Sequence, residues 1–270
     1  MQGASRAALA AGADRLDTLT GVEGADIAGI ADDLAAVADV LGSQASLRRM
    51  LTDPARPGAQ RADIVTALLA DKVGADVVAL VAGLCRSRWS RPRDLADSVA
   101  TLAVHADLAI AERDGRLDTV EDELFRLGRI LDGNGELASA LSTRISPERR
   151  EELLASLLNG KVDATTYRLT ARAVANPRGR SVTANLAEIG KQAADRRLRL
   201  VALVRAAVPL TEEQRDRLSA VLRRLYGKSV HLNVDLAPEV LGGLSVRVGD
   251  EVIDGTVAYR LAESARKLAA

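Results

Sequence analysis

A glycine-rich segment near the C-terminal end is the first place where this sequence could do chemistry. It reads Leu241-Gly-Gly-Leu244 and is soon followed by Gly249-Asp250. A phosphate-binding loop needs the spacing G-x-x-x-x-G-K-[ST], or G-x-G-x-x-G between a strand and a helix. The segment has neither spacing. An anion would be bound at a helix N-terminus, but Gly249 precedes an apolar run typical of a strand. We therefore interpret these glycines as turns in a small sheet and predict no cofactor.

The single cysteine and the two histidines are the other residues that could act as nucleophile, base or metal ligand. Cys85, His105 and His231 are scattered along the chain, without an acidic partner at a telling distance. Zinc ligands usually come in closely spaced pairs, which this scatter does not provide. Cys85 also aligns with apolar Val174 in the internal repeat described below, which favours a thiol packed in a core. We predict neither a catalytic site nor a metal site.

An arginine-rich loop, Arg86-Ser-Arg-Trp-Ser-Arg-Pro-Arg93, surrounds the only tryptophan of the chain, Trp89. Such a loop could contact a nucleic acid or an anionic lipid, or it could be a solvated helix terminus with Trp89 packed between helical bundles. Lys plus Arg and Asp plus Glu both number 37, and aromatic residues make up only 2%. Binding to a phosphate backbone requires a basic excess, and single strands require aromatic stacking. We therefore predict no nucleic-acid partner, and the role of the loop stays open.

The composition favours packed helices. Apolar residues make up 47% of the chain, and with so few aromatics the cores must consist of Leu, Val, Ile and Ala. No apolar run reaches the roughly 20 residues of a membrane span. The N-terminal residues lack the basic-then-apolar pattern of a signal peptide, and one cysteine forms no internal disulfide. We expect a soluble cytoplasmic protein without a span of its own.

The sequence contains an internal repeat. The segment 32–41 aligns with 122–131 at an offset of 90 residues, and 61–73 aligns with 150–162 at an offset of 89. Both pairs carry apolar residues at the i, i+3, i+4, i+7 spacing of an amphipathic helix. Two helices that agree in order and in offset predict a duplication, in which each copy is a small helical bundle.

One long helix is predicted to belong to both copies. It begins at Arg91-Pro-Arg-Asp94 and continues to Gly115, and it resembles both the end of the second copy and the opening of the chain. We therefore predict a first bundle over 1–113 and a second over 92–208. The second bundle is predicted to end in a helix from about Thr183 to Val208, because Pro209 cannot continue it.

The remaining residues, 209–270, are predicted to form a small α+β domain. Thr211-Glu-Glu-Gln214 is a capping box that begins a helix. Gly-Asp between two short apolar runs predicts a β-hairpin. The predicted elements are the helix up to Gly227, a strand from Ser229 to Val234, the hairpin strands Leu244–Val248 and Val252-Ile253, and a last helix from Asp254 or Thr256 to Leu268. The fold class is mainly α: two duplicated helical bundles that share a long helix, followed by a small α+β domain with a hairpin.

Several short motifs stand in a fixed order in the C-terminal third. They are Val204-Arg-Ala-Ala-Val-Pro-Leu210, Pro238-Glu-Val-Leu-Gly-Gly243, Val248-Gly-Asp250 and Ile253-Asp-Gly-Thr256. This order resembles the delta subunit of F-type ATP synthases, the family called the oligomycin-sensitivity-conferring protein in mitochondria. The resemblance covers about residues 180–270. The upstream bundles are similar to the six-helix N-terminal domain of the family, which ordinarily has one such domain, so two resemble the enlarged delta subunits of actinobacteria. A tyrosine usually opens the family's first helix, where this chain has Ser5-Arg6.

The resemblance implies a non-catalytic stator subunit at the cytoplasmic face of the plasma membrane, which transmits torque during rotary ATP synthesis. It implies that an N-terminal bundle binds the helical N-termini of alpha subunits and that the C-terminal domain binds the b-type peripheral stalk. We expect the first bundle to be the alpha binder and the second to be a spacer that contacts stalk helices. The residues expected to bind the alpha subunit are Ala8, Leu9, Val77, Val78 and Val81. Those expected to bind the stalk are Leu218, Val221, Leu222, Leu225, Leu241, Leu244, Val246 and Val248.

Two other classes of function stay open on the sequence alone. A free-standing helical adaptor could bind amphipathic helices outside the synthase through the same apolar stripes. A gene located apart from those of the alpha and gamma subunits would favour that hypothesis. An enzyme with an unrecognised site between helices would show a buried pocket of titratable residues with shifted pKa values.

Overall fold

The computed structural model describes residues 3–142, 145–197, 200–226, 230–237, 242–248 and 251–256. The chain divides into two compact units, residues 1–197 and 198–270. The first unit is helical in its described residues, and the second combines a sheet with a helix. The helices of the first unit are α1 (Gly3–Thr20), α2 (Ile27–Ser43), α3 (Ala45–Thr52), α4 (Gly58–Leu69), α5 (Ala75–Arg86), α6 (Pro92–Arg113), α7 (Leu117–Gly133), α8 (Gly135–Ala140), α9 (Pro147–Leu158), α10 (Ala164–Ala175) and α11 (Val182–Arg197).

The first unit has two hydrophobic cores, and α6 contributes to both. Val99 and Leu102 of α6 pack in the first core with residues of α1 to α5, whereas Leu108 and Ala111 pack in the second with residues of α7 to α11. The helix is continuous through Ala103, and residues of both cores are interspersed along it from Val104 to Ile110. The predicted long helix is therefore present, and this one continuous helix contributes side chains to both cores.

The ends of α6 follow from local chemistry. Pro92 lies in the first turn, where its missing N–H would have had no intrahelical acceptor, and Asp94 places a negative charge near the helix N-terminus. Just beyond the C-terminal end, Gly115 has a φ of 68°, a left-handed conformation that glycine adopts at little cost. Both terminal signals were present in the sequence, and the predicted end at Gly115 is two residues beyond the observed one.

Helices in the two halves of this unit have matching bounds. The bounds of α2 and α7, Ile27–Ser43 and Leu117–Gly133, lie 90 residues apart at both ends. The bounds of α4 and α9 lie 89 residues apart at both ends, as do those of α5 and α10. The lengths and the order of these helices therefore repeat along the chain.

Two polar contacts recur at the same offsets. Asp33 Oδ2 accepts a hydrogen bond of 2.7 Å from the Gly74 amide, directly before α5. Glu123 Oε2 accepts one of 2.9 Å from the Asp163 amide, directly before α10. In each half a carboxylate therefore takes up a backbone donor at a helix N-terminus, where a negative charge is favourable.

A buried arginine also recurs at an offset of 89 residues. Arg61 on α4 and Arg150 on α9 are 4% and 5% exposed. Arg61 donates to the carbonyl oxygen of Arg86 at the end of α5, and Arg150 donates to that of Val174 near the end of α10. The last carbonyls of a helix have no intrahelical donor, so each guanidinium supplies what its neighbouring helix lacks.

The second unit is a mixed four-stranded sheet covered on one face by a helix. Its elements are β1 (Leu200–Ala206), α12 (Glu212–Tyr226), β2 (Val230–Leu236), β3 (Leu244–Val248) and β4 (Glu251–Asp254), in the sheet order β2-β1-β3-β4. The central strand β1 pairs parallel with β2, through the crossover helix α12, and antiparallel with β3. Leu222 of α12 packs on Val204 and Val246 to form the core of this unit.

The prediction of one helix from Thr183 to Val208 was wrong. The helix α11 ends at Arg197, and Leu200–Ala206 form the strand β1. Alternate residues of β1 (Ala202, Val204 and Ala206) are buried, which is the period of a strand. The apolar run was read with a helical period, but pairing with two neighbouring strands decides its conformation. The second unit thus begins before the predicted boundary at 209.

The other C-terminal predictions fare better where they are described. The capping box is confirmed, since the Thr211 amide donates to Gln214 Oε1 at 2.9 Å and the Gln214 amide to Thr211 Oγ1 at 3.2 Å. Strand β2 is shifted from the predicted start by one residue, and β3 has the predicted bounds. Val248 pairs with Glu251, as the hairpin prediction requires. Gly249-Asp250, Gly227 and the helix predicted beyond Thr256 lie outside the described residues.

The two cores of the first unit lead to a prediction about stability. Leu34 in the first core and Leu124 in the second are 0% and 1% exposed. We expect Leu34→Ala and Leu124→Ala each to lower the free energy of unfolding by about 2–5 kcal/mol. Because they lie in separate cores, the losses in the double variant should add to within about 0.5 kcal/mol. Urea unfolding followed by far-ultraviolet circular dichroism measures this, with the exposed Val40→Ala as control, and strong coupling would mean one common core.

Candidate partner-docking surfaces

Helix α1 is held closely on the first core by two small residues. Ser5 donates to Asp94 Oδ2 on α6 at 2.8 Å and accepts from the Ser90 amide at 2.9 Å. A Cβ added at Gly12 would lie 2.8 Å from Leu84 Cδ2 on α5, so the absence of a side chain lets α1 and α5 approach. These contacts place α1 beside α5, and this pair is where a partner helix was expected.

The residues predicted to bind the alpha subunit have different environments. Val77 and Val81 are buried in the first core and Ala8 is buried on α1, with exposures of 1%, 0% and 5%. Leu9 and Val78 are partly buried at its edge. A partner can therefore contact Leu9 or Val78 directly, whereas the other three shape the surface from beneath.

Leu9 and Val78 also lie in different places. Leu9 lines a cavity of about 1050 Å³ together with Ala35 of α2 and Tyr167 of α10, between the two cores. Val78 belongs to α5, whose neighbouring residues Ala75 and Ala79 are exposed. We define the α5 surface as Ala75, Val78 and Ala79, and it is the accessible part of the predicted site.

The residues predicted to bind the stalk divide in the same manner. Leu222, Val246 and Val248 are buried in the core of the second unit, and Leu218 and Leu244 pack against it. Val221 and Leu225, four residues apart on α12, are 56% and 60% exposed. Leu241 lies outside the described residues. We define the α12 surface as Val221 and Leu225, since only these two of the described stalk residues project from the unit.

Sequence reasoning missed a second exposed face of the sheet. Leu203 on β1, Arg247 on β3 and Val252 on β4 are cross-strand neighbours. Leu203 and Val252 are 44% and 52% exposed. They alternate with the residues that α12 covers, because successive strand residues point to opposite faces. The alternating pattern of β1 was the signal that could have revealed this row, but the segment was read as a helix.

An ionic network links helices of both halves, and it was also missed. Asp107 on α6 is fully buried and is paired with Arg168 and Arg172 of α10 at 3.0 and 2.6 Å. Burial alone would lower the pKa of Arg168, but Asp107 and then Asp32 raise it above its ordinary value. The spacing of the sequence was a signal for this buried charge. Asp107 lies four residues from both Ala103 and Ala111, so it shares their face of the helix, and that face is buried.

Of the three residues considered for catalysis, Cys85 lies in an environment that suppresses its reactivity. Cys85 is fully buried, and this burial raises the pKa of its thiol to about 12 although the charge of Arg61 partly opposes it. His105 is partly buried on α6, and the side chain of His231 lies outside the described residues. Among the described residues there is no cluster of His, Cys, Asp and Glu that could hold a metal ion.

The arginine-rich loop is held to the first core by its tryptophan. Trp89 Nε1 donates to the Leu84 carbonyl at 2.9 Å, and its ring packs against the first core. Arg93 donates to the carbonyl of Arg178 at 3.0 Å, so the loop also contacts the second half.

None of the described helices is long and apolar enough to span a membrane.

The described surfaces are exposed faces of helices and of a sheet that carry apolar residues. The chain belongs to the family described as the ATP synthase delta (OSCP) subunit, whose family model matches residues 104–268. It is 53% identical to the ATP synthase subunit delta of Streptomyces griseus over 270 residues, which is 100% of both chains. It is 49% identical to that of Beutenbergia cavernae and 45% identical to that of Thermobifida fusca, again over 100% of each chain. The predicted family, in its actinobacterial form, is confirmed.

The environment of Cys85 predicts that the thiol is unreactive. A thiolate is the reactive form, and both burial and the raised pKa suppress it. We expect no labelling by a soluble thiol reagent at pH 8 in the folded protein and complete labelling in urea, measured by intact mass. Labelling in the folded state that follows the ionisation of an ordinary thiol would contradict this environment.

Proposed function

We propose that this chain is a non-catalytic stator subunit of a proton-translocating F-type ATP synthase, at the cytoplasmic face of the plasma membrane. It links the alpha/beta head to the b-type peripheral stalk and resists torque during rotary ATP synthesis. The observation that carries the proposal is the 53% identity over full length to a chain named ATP synthase subunit delta. Co-purification with alpha, beta and b-type subunits from membranes washed at moderate salt tests it. A gene apart from the synthase genes and no co-purification would favour the free-standing adaptor instead.

The two halves of the first unit are, in this proposal, duplicated bundles that share α6. The equal offsets of the helix bounds support the duplication. The recurring contacts support it further, because a duplication would preserve the carboxylate before α5 and α10 and the buried arginine on α4 and α9. The family model begins at residue 104, within α6, so its match covers the second copy and the C-terminal unit.

Resistance to torque requires that the two bundles move as one body. The continuous helix α6 supports this because it is packed in both cores. A further contact between the halves is the buried pair of Arg196 on α11 with Asp17 on α1, at 3.0 Å, and Arg196 also reaches Glu112 of α6 at 2.6 Å. Bending the unit at α6 would therefore disrupt packing and expose paired charges, which is costly for buried groups.

The first bundle is proposed as the alpha binder, through the α5 surface. The positions of Val77, Val78 and Val81 correspond, at an offset of 89, to Thr166, Tyr167 and Thr170 in the second bundle. Of these three valines only Val78 is accessible to a partner. With Ala79 it forms a small apolar surface that could bind an amphipathic helix, and at those two positions the second copy has Tyr167 and Arg168. The second bundle is then the spacer that contacts stalk helices.

The C-terminal unit is proposed as the stalk binder, through the α12 surface. Val221 and Leu225 lie one turn apart, so they can serve as consecutive anchors against an apolar stripe on a partner helix. The buried Leu222 and the partly buried Leu218 hold the other side of α12 on the sheet. The sheet fixes α12, and α12 presents the anchors.

These assignments predict reciprocal losses of binding. Val221→Asp with Leu225→Asp should weaken binding of the b-type subunit by about 30-fold or more, the effect of losing about 2 kcal/mol, and should spare an alpha N-terminal peptide. Val78→Asp should do the reverse. Isothermal titration calorimetry measures both affinities, and thermal melting confirms that each variant is folded.

Val40→Asp provides the matched control, because Val40 is an exposed apolar residue of the first bundle outside both surfaces. It should leave both affinities unchanged. Loss of stalk binding with Val78→Asp but not with the α12 variant would reverse the assignment of partners.

A further inference from the structure

One face of α2 lies outside the first core and is bonded to α10. Asp32 Oδ1 accepts from Arg168 Nη2 at 2.9 Å and from Arg172 Nη2 at 2.8 Å. Asp39 Oδ1 accepts from Asn176 Nδ2 at 2.6 Å. Arg168 and Arg172 of α10 and Asn176, which caps its C-terminal end, follow one another at intervals of four, so they lie along one side of the chain. These three residues bond to α2 over about two of its turns, from Asp32 to Asp39.

The same arginines connect α10 to α6. The Nε atoms of Arg168 and Arg172 donate to Asp107 at 3.0 and 2.6 Å, while their terminal nitrogens reach Asp32. Asp107 is fully buried, whereas the Asp32 side chain is 61% exposed. Each guanidinium thus spans from a buried carboxylate on α6 to an exposed carboxylate on α2. Helix α2 therefore lies along the line where α6 and α10 meet.

In the first bundle the corresponding line is where α1 meets α5, and α5 there has small, uncharged residues. At an offset of 89, Arg168, Arg172 and Asn176 correspond to Ala79, Gly83 and Ser87. Ala79 is exposed. Gly83 lies beneath Arg15 of α1, since a Cβ there would collide with the Arg15 guanidinium.

The neighbouring position shows the same difference. Val78 belongs to the α5 surface, but its counterpart Tyr167 lines the cavity between the cores together with Leu9, Ala35 and Asp39 of the first half. The side of α10 that corresponds to the α5 surface is therefore turned toward the first bundle.

We infer that α2 covers the second bundle's counterpart of the α5 surface, which consists of Arg168, Arg172 and Asn176. The chain then binds one partner helix and not two. The inference rests on the proposed function in that it takes the α5 surface to be a helix-docking site. The second surface has the chemistry for an acidic helix, two arginines and an asparagine, and α2 supplies the carboxylates. The α5 surface, made of Ala75, Val78 and Ala79, is apolar and small, and it fits the apolar stripe of a helix from another subunit.

The first test counts bound helices. A synthetic peptide of the alpha-subunit N-terminus is titrated into the full chain by calorimetry. We expect one peptide per chain, loss of binding in Ala79→Arg, and unchanged affinity in Arg168→Ala at the corresponding position. Two peptides per chain would overturn the inference while leaving the proposed function intact. Binding that survives Ala79→Arg and fails in Arg168→Ala would overturn it as well.

The second test measures the internal contact without any peptide, so it decides even if no peptide binds and the proposed function fails. Asn176→Asp places two carboxylates at the 2.6 Å contact with Asp39. We expect the melting temperature to fall by about 2–4 °C and to recover when Asp39→Asn is added, because the swap restores the pair. Asp39→Asn alone is the control. A fall of the same size when Asp39→Asn is already present would mean that α2 does not lie on α10 in solution, because the whole effect would then come from a carboxylate at the C-terminal cap of α10.

Discussion

The arrangement of the first unit depends on the buried carboxylate of Asp107. An ionised group without exposure is tolerated only when it is paired and hydrogen-bonded, and here two guanidiniums meet that requirement. Both come from α10, and both reach onward to α2. Satisfying one charge therefore fixes three helices drawn from both halves of the unit. Leu and Ala packing alone is not directional, so the ionic contacts add directional restraints to the relation that the shared helix α6 gives the two halves.

The helical part of the fold could be predicted from sequence because its signals are local. The offset of 90 and then 89 residues located α7 and α9 from their counterparts, and Pro92 and Gly115 marked where α6 begins and ends. Strand β1 was missed because its identity is not local. A short apolar run fits either period, and the choice is made by β2 and β3, which follow at least 24 residues later in sequence.

The candidate surfaces were predicted only in part for a related reason. An amphipathic stripe shows which residues leave water, but it does not show whether the covering element belongs to the same chain. Val77 and Val78 are neighbours in sequence, yet one is in the core and the other is at its edge. On α12, Leu222 packs against the sheet, whereas Val221 and Leu225 are exposed. The position of the sheet decides which side of α12 is buried, and the central strand of that sheet, β1, was not predicted from the sequence.

The central position of β1 has a consequence for synthesis on the ribosome. Residues 1–197 contain both helical cores, so this unit has all its packing partners before the second unit has been translated. Strand β1 is made next, but its neighbours β2 and β3 end only at Leu236 and Val248. During that interval β1 has two unpaired edges, and unpaired edges are where chains associate wrongly. The nascent chain therefore passes through a stage in which a finished helical unit is followed by an apolar strand that still awaits both neighbours.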